Sequence, residues 1–180
     1  MKNQKRVRFL VESAMIAAVY AVTTYICAAF NLAYGPVQFR FSEALTVLSA
    51  LTPAAIPGLT LGCIISNIGS PMGIIDVVFG SVATLLAAVF GWLCRNIKIK
   101  QIPLLSIIYP VIFNGIIIGA EIIFMLSDEA PTFTAFLING GQVALGELAV
   151  CLIGGIPLYL GLKRTKLFTG SSPKSTEKTE

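Results

Sequence analysis

The side chains able to do chemistry in this chain are few, and they stand where packing material is expected. Gln38, Arg40, Ser42 and Glu43 fall in a polar interruption, Tyr34-Gly35-Pro36-Val37-Gln38-Phe39-Arg40-Phe41-Ser42-Glu43-Ala44-Leu45, between two apolar runs. Arg40 is the only basic residue between Arg8 and Arg95. Asn67, Asp76, Asn114, Glu121, Asn139, Gln142 and Glu147 follow, each in or beside an apolar run. An ionisable group at a bilayer centre costs about 2.5–3.5 kcal/mol on insertion scales, so such groups face a protein interior or a wet cavity. Several carboxylates with few cations suit a ligand that donates hydrogen bonds or carries positive charge. A guanine-like edge donates from a ring N–H and an adjacent amino group. One carboxylate accepts both, and Asn or Gln reads a neighbouring carbonyl. A second carboxylate can neutralise an amine.

Each candidate also has a plainer reading. Glu43 can simply pair with Arg40, three residues earlier. Asn67 and Asp76 can cap helix ends. Asp128 and Glu129 read as solvated loop charges. Glu121 and Glu147 are hardest to dismiss because both interrupt apolar runs, although an internal carboxylate–Asn bond would account for either. Tyr34, Phe39 and Phe41 stand where a ring could stack, and equally where aromatic residues anchor a membrane interface.

The elements that must position these groups follow from composition. Of 180 residues, 56% are hydrophobic and 12% charged, and the mean hydropathy is +0.84. A soluble domain is roughly 25% charged, so the chain reads as an all-α integral membrane protein. A spanning helix takes about 20 apolar residues, and six crossings consume most of the length. There is no His, which removes the commonest general base and metal ligand. Cys27, Cys63, Cys94 and Cys151 lie singly with no C-x-x-C spacing. They read as small packing residues, with neither a disulfide framework nor a metal site.

The expected layout is a basic lead over residues 1–8, a six-helix bundle over 9–162, and a polar tail over 163–180 that is expected to be disordered. Spans are expected from Phe9 to Asn31, Glu43 to about Leu51, Ala54 to Ile68, Ile74 to Cys94, Pro103 to Leu126 and Phe133 to Leu162. The first run exceeds the apolar core of a signal peptide and more spans follow it, so a retained helix is expected. Gly35-Pro36 signals a turn, and Ser42 reads as the N-cap of the short second span. Pro110 predicts a kink. The sixth span is long enough that Gly140-Gly141 or Gly154-Gly155 could break it. Gly58-x-x-x-Gly62 and Gly115-x-x-x-Gly119 predict close helix contacts. Ala14, Ala17, Ala18 and Ala21 form a smooth strip on the first span, for packing within the chain or for docking another subunit.

Charge sets the orientation. With the N-terminus inside and six alternating spans, twelve of the thirteen basic residues fall on the inner side, as the positive-inside rule requires. Arg40 is the exception, outside with Glu43, Asp76, Asp128 and Glu129. Both termini are then cytoplasmic.

At this point the chain resembles a known family, the queuosine-precursor transporter (QueT) family of substrate-binding S components of energy-coupling factor (ECF) transporters. The resemblance rests on Gly35-Pro36-Val37-Gln38-Phe39-Arg40-Phe41-Ser42-Glu43-Ala44-Leu45-Thr46, supported by Asn67-Ile68-Gly69-Ser70-Pro71, Gly73 and Asp76. It implies a compact six-helix S component in a bacterial plasma membrane, with a ligand pocket near the outer face. It implies a membrane coupling subunit of the EcfT type docking on an alanine-rich first helix, a role that Ala14, Ala17, Ala18 and Ala21 match. It also implies two cytoplasmic ATPase subunits that consume the ATP. The implied substrate is a 7-deazaguanine such as preQ1, 7-aminomethyl-7-deazaguanine. Glu121, Asn139, Gln142 and Glu147 match no motif of that family and are candidates on burial alone.

No G-x-x-x-x-G-K-[ST] sequence is present, so ATP hydrolysis belongs to partners and this chain needs no cofactor of its own. A stand-alone secondary transporter, proton-coupled through Glu121 or Glu147, is the alternative. An intramembrane enzyme would have to work with carboxylates alone, without His or a G-x-S-x-G elbow.

Overall fold

A short 3-10 helix lies at the centre of the molecule, and every long helix packs around it. The computed structural model describes residues 2–33, 38–127 and 130–165. Tyr34, the turn expected at Gly35-Pro36, the charges Asp128 and Glu129, and the tail from residue 166 lie outside those residues. In chain order the helices are α1 (Lys2–Ala29), the 3-10 helix (Phe41–Ala50), α2 (Ala55–Asn67), α3 (Ile74–Leu93), α4 (Leu104–Glu121), α5 (Phe133–Val150) and α6 (Ile156–Thr165). A π turn, Ile122–Leu126, extends α4, and another, Cys151–Gly155, joins α5 to α6. Neighbours in sequence pack in space: α1 on α2, α2 on α3, α3 on α4, α4 on α5. The 3-10 helix touches all six α-helices.

The chain is an all-α membrane protein. Among the described residues, four helical stretches, Asn3–Ala29, Ile74–Leu93, Leu104–Met125 and Phe133–Thr165, are long and apolar enough to cross a bilayer. The 3-10 helix and α2 are apolar but shorter. The outward face of α1 carries Leu10, Val11, Met15, Val19, Val22 and Ile26, all exposed, while Ile16 and Tyr20 point inward. With 28 residues, α1 is about 42 Å long at 1.5 Å per residue, against a hydrocarbon core of about 30 Å. The basic lead is therefore not a separate segment. It forms the first turns of α1, where Arg8 pairs with Glu12 at 2.7 Å one turn on.

Glycines set the helix seams. A Cβ built on Gly62 would lie 2.7 Å from the Tyr20 Cβ, and one on Gly119 would lie 2.6 Å from the Gly140 Cα. Real Cβ atoms do not approach so closely, so only glycine lets α2 lie on α1 and α4 on α5. These are the contacts that the two G-x-x-x-G spacings predict.

The 3-10 helix follows from its sequence period. Such a helix has three residues per turn and stacks residues i and i+3 directly. Glu43, Thr46 and Ser49 recur at that period and form one buried polar edge. Thr46 Oγ1 donates to the Glu43 carbonyl at 2.6 Å, stitching successive turns. At about 2.0 Å per residue, ten residues reach as far as the thirteen of α2.

One local expectation changes, and two take definite form. Ser42 is not an N-cap: Arg40 holds that position without a side-chain cap. Ser42 lies inside the 3-10 helix, where its hydroxyl accepts from Thr24 at 2.7 Å. The sixth stretch is interrupted at the second glycine pair and not at the first. It runs helical through Gly140-Gly141, and at Gly154-Gly155 it loosens into the π turn, whose Gly154 lies against Ala44. Pro110 sits within α4, which continues past it to Glu121.

Candidate functional site

The polar residues gather inside the bundle around the N-terminal end of the 3-10 helix. Gln38, Arg40, Glu43, Asn67, Asp76, Asn114, Glu121 and Glu147 are all buried. They come from the strap before the 3-10 helix, from that helix itself, and from α2, α3, α4 and α5.

The first group joins the strap to α2 and α3. Arg40 donates to Asn67 Oδ1 at 2.5 Å and to Asp76 Oδ2 at 3.4 Å. Asn67 Nδ2 in turn donates to the Asp76 carbonyl at 2.9 Å. Gly80 lets Asn67 into this space, since a Cβ there would lie 2.5 Å from Asn67 Nδ2. Asn67 and Asp76 thus do more than cap: they tie α2 and α3 together through a guanidinium. The strap is seated on its other side by Gly146 of α5, whose missing side chain leaves room for the Gln38 backbone. Gln38 reaches the site by this route, and Phe39, half exposed, donates its N–H to the Leu32 carbonyl at 2.8 Å.

The second group is acidic. Glu43 does not pair with Arg40 through a direct salt bridge. Its Oε1 accepts from the Tyr20 hydroxyl in a short hydrogen bond, while Oε2 is buried with no hydrogen-bond partner. Glu147 accepts from Asn114 Nδ2 at 3.0 Å, the internal carboxylate–Asn bond that its sequence position allowed. Glu121 is 1% exposed, and neither of its oxygens has a hydrogen-bond partner. It ends α4, directly before the π turn, a local widening that recurs at functional sites. Arg40 is the shared electrostatic neighbour of Glu43, Glu121 and Glu147.

Other residues are placed apart from this cluster. Asn139 is half-buried and bonds its own helix, Nδ2 to the Ala135 carbonyl at 2.9 Å. Gln142 is also half-buried. Helical phase explains Gln142, since the buried face of α5 runs Gly140, Val143, Gly146, Glu147, Val150, while Asn139 shares that face but lies about two turns before Glu147. The four alanines of α1 divide. Ala17 and Ala21 are buried in the seam against α2, while Ala14 and Ala18 are exposed. Among the described residues no cluster of three or more His, Cys, Asp or Glu is placed to hold a metal ion.

Sequence reasoning missed Tyr20, which is fully buried and restrains Glu43. Its signal was available: Tyr20 falls in the strip of Ala17 and Ala21, where a bulky phenol needs a reason. Cys63 and Cys151 were read as packing, yet both border the cluster. Thr84 and Asn67 donate to the Cys63 sulfur at 3.3 and 3.4 Å, and the Cys151 thiol faces the Glu43 carbonyl at 3.7 Å.

An apolar exterior, four helices of spanning length and an interior that concentrates one arginine and several acids define a multi-pass membrane protein with a polar centre. The family model described as QueT transporter matches residues 10–164. A queuosine precursor transporter QueT from Lactococcus lactis subsp. cremoris (strain MG1363) is 30% identical over 156 residues, covering 81% of this chain and 86% of that protein. No solved structure matches the chain. The chain belongs to the QueT transporter family, and it is a transport protein rather than an enzyme.

Proposed function

We propose that this chain is the substrate-binding S component of an ECF importer and takes up a queuosine precursor, a 7-deazaguanine such as 7-aminomethyl-7-deazaguanine. The observation that carries the reading beyond family membership is the buried acid left without partners. A carboxylate held 1% exposed with two bare oxygens is costly unless something donates to it. A guanine-like edge and an aminomethyl group supply such donors. Asn114, Glu147 and the strap residues Gln38 and Arg40 complete the surround, and Asn67 and Asp76 hold Arg40 in place.

In this reading the chain crosses the membrane six times, with the 3-10 helix and α2 as the two short crossings. Both termini are cytoplasmic, which puts Lys2, Lys5, Arg6 and Arg8 on the same side as Arg95, Lys98, Lys100, Lys163 and Arg164. The strap then lies toward the outer face. An EcfT-type coupling subunit docks on the exposed strip containing Ala14 and Ala18, and two cytoplasmic ATPases drive transport.

Equilibrium binding by the purified chain, with 7-aminomethyl-7-deazaguanine, guanine and an unrelated vitamin, tests the substrate. Preference for the deazaguanine is expected, and equal weak binding of all three contradicts it. Uptake into vesicles separates the mechanism. Accumulation should require the coupling subunit, the ATPases and ATP. Accumulation by the chain alone under a proton gradient would instead make it a secondary transporter.

A further inference from the structure

We infer that Glu121 and Glu43 divide recognition between them. Glu121 accepts the paired donors of the ligand's purine-like edge, and Glu43 accepts a single donor elsewhere on the ligand. The inference rests on the substrate reading above and assigns which acid meets which group.

Each carboxylate oxygen can accept more than one donor, but a parallel pair sits best on a carboxylate with neither oxygen already engaged. Glu43 has one committed, because the Tyr20 hydroxyl holds Oε1 and only Oε2 is left without a partner. Glu147 has Oε1 engaged by Asn114 and Oε2 facing the Cys151 thiol at 4.0 Å. Asp76 has Oδ2 engaged by Arg40. Among these buried acids Glu121 alone offers two open oxygens.

The surroundings agree with that division. Glu121 feels two buried charges: Asp76, which repels it, and Arg40, which offsets part of that repulsion without hydrogen bonding to it. A ligand edge with two N–H groups then satisfies both oxygens while remaining neutral itself. Glu43 is fixed differently. Tyr20 comes from α1 and Glu43 from the 3-10 helix, so the phenol sets the carboxylate's rotation and aims Oε2. One directed acceptor suits one donor group, and an aminomethyl ammonium is such a group. Tyr20 is accordingly a positioning residue, acting through Glu43.

The test is a set of double-mutant cycles between side chain and ligand, using the purified full chain. The ligands are 7-aminomethyl-7-deazaguanine, the same compound lacking the 2-amino group, and the same compound lacking the aminomethyl group. In the wild type each deletion should weaken binding about tenfold or more. In Glu121→Gln, loss of the 2-amino group should cost less than about threefold further, while loss of the aminomethyl group keeps its wild-type penalty. Glu43→Gln should show the reverse. Glu121→Ala repeats the cycle without leaving an amide, and an unfolding midpoint for each variant verifies the fold. Exchanged patterns, or additive losses in both variants, overturn the division while leaving the substrate intact. Failure of the wild type to bind the parent compound overturns the substrate reading itself.

Discussion

Two buried polar regions lie side by side in this molecule, and they are built on opposite principles. At the α2–α3 end, Arg40, Asn67 and Asp76 are joined to one another by direct hydrogen bonds and an ion pair. At the α4 end, Glu121 is equally buried and has nothing to bond to. Both hold ionisable groups and both are shielded, so burial alone does not tell them apart. Satisfaction does. A bonded network rigidifies its surroundings, whereas an acid without donors leaves both oxygens open.

Arg40→Met should have the largest effect. It strands Asp76 as a buried charge and removes the link from strap to bundle, a loss of about 3–5 kcal/mol for one partner of a buried pair. The unfolding midpoint in detergent should fall steeply, and an unchanged midpoint would mean the network does not hold the fold. Glu121→Gln should invert that pattern. Stability should be retained or raised, while ligand affinity drops about ten- to a hundredfold, equivalent to roughly 1.5–3 kcal/mol. If this variant unfolds early and still binds normally, the distinction between the two regions fails.

Gly146→Ala sharpens the comparison from the opposite side of the strap. The added methyl meets the Gln38 backbone, and such overpacking typically costs about 1–3 kcal/mol. A thermal shift and weaker ligand binding should appear together, because the same strap presents Gln38 and Arg40. Smallest is Tyr20→Phe, which removes one hydrogen bond worth about 0.5–1.5 kcal/mol. Binding should weaken modestly, and combination with Glu43→Gln should add little further loss.

Much of this was readable in the chain. The polar interruption through Glu43, and Asn67, Asp76, Asn114, Glu121 and Glu147, are out of place in apolar runs, and each is buried as that mismatch predicts. The glycine spacings pointed to two real seams. Less legible was the difference between a satisfied and an open acid, because the partners are distant in sequence: Tyr20 lies 23 residues from Glu43, and Asn114 lies 33 from Glu147. Gln142 shares the polarity of the site residues but not the helical phase of Glu147, and Asn139 lies about two turns before it on α5. The splitting of Ala14 and Ala18 from Ala17 and Ala21 likewise depends on which side α2 occupies. Ser42 resembled a cap because a polar residue before an apolar run usually is one; here the run winds with a different period and takes the serine inside.

That winding has a consequence for how the receptor is dimensioned. The central helix is drawn out by about 0.5 Å per residue relative to an α-helix. Rewound as α, its ten residues would contract by about 5 Å. Glu43, Thr46 and Ser49 would also fan apart by about 60° at each step. The pitch of one short segment therefore fixes both how deep the acid of Glu43 stands and which way it faces. A single insertion or deletion between residues 43 and 49 would shift and turn Glu43 relative to Thr46 and Ser49.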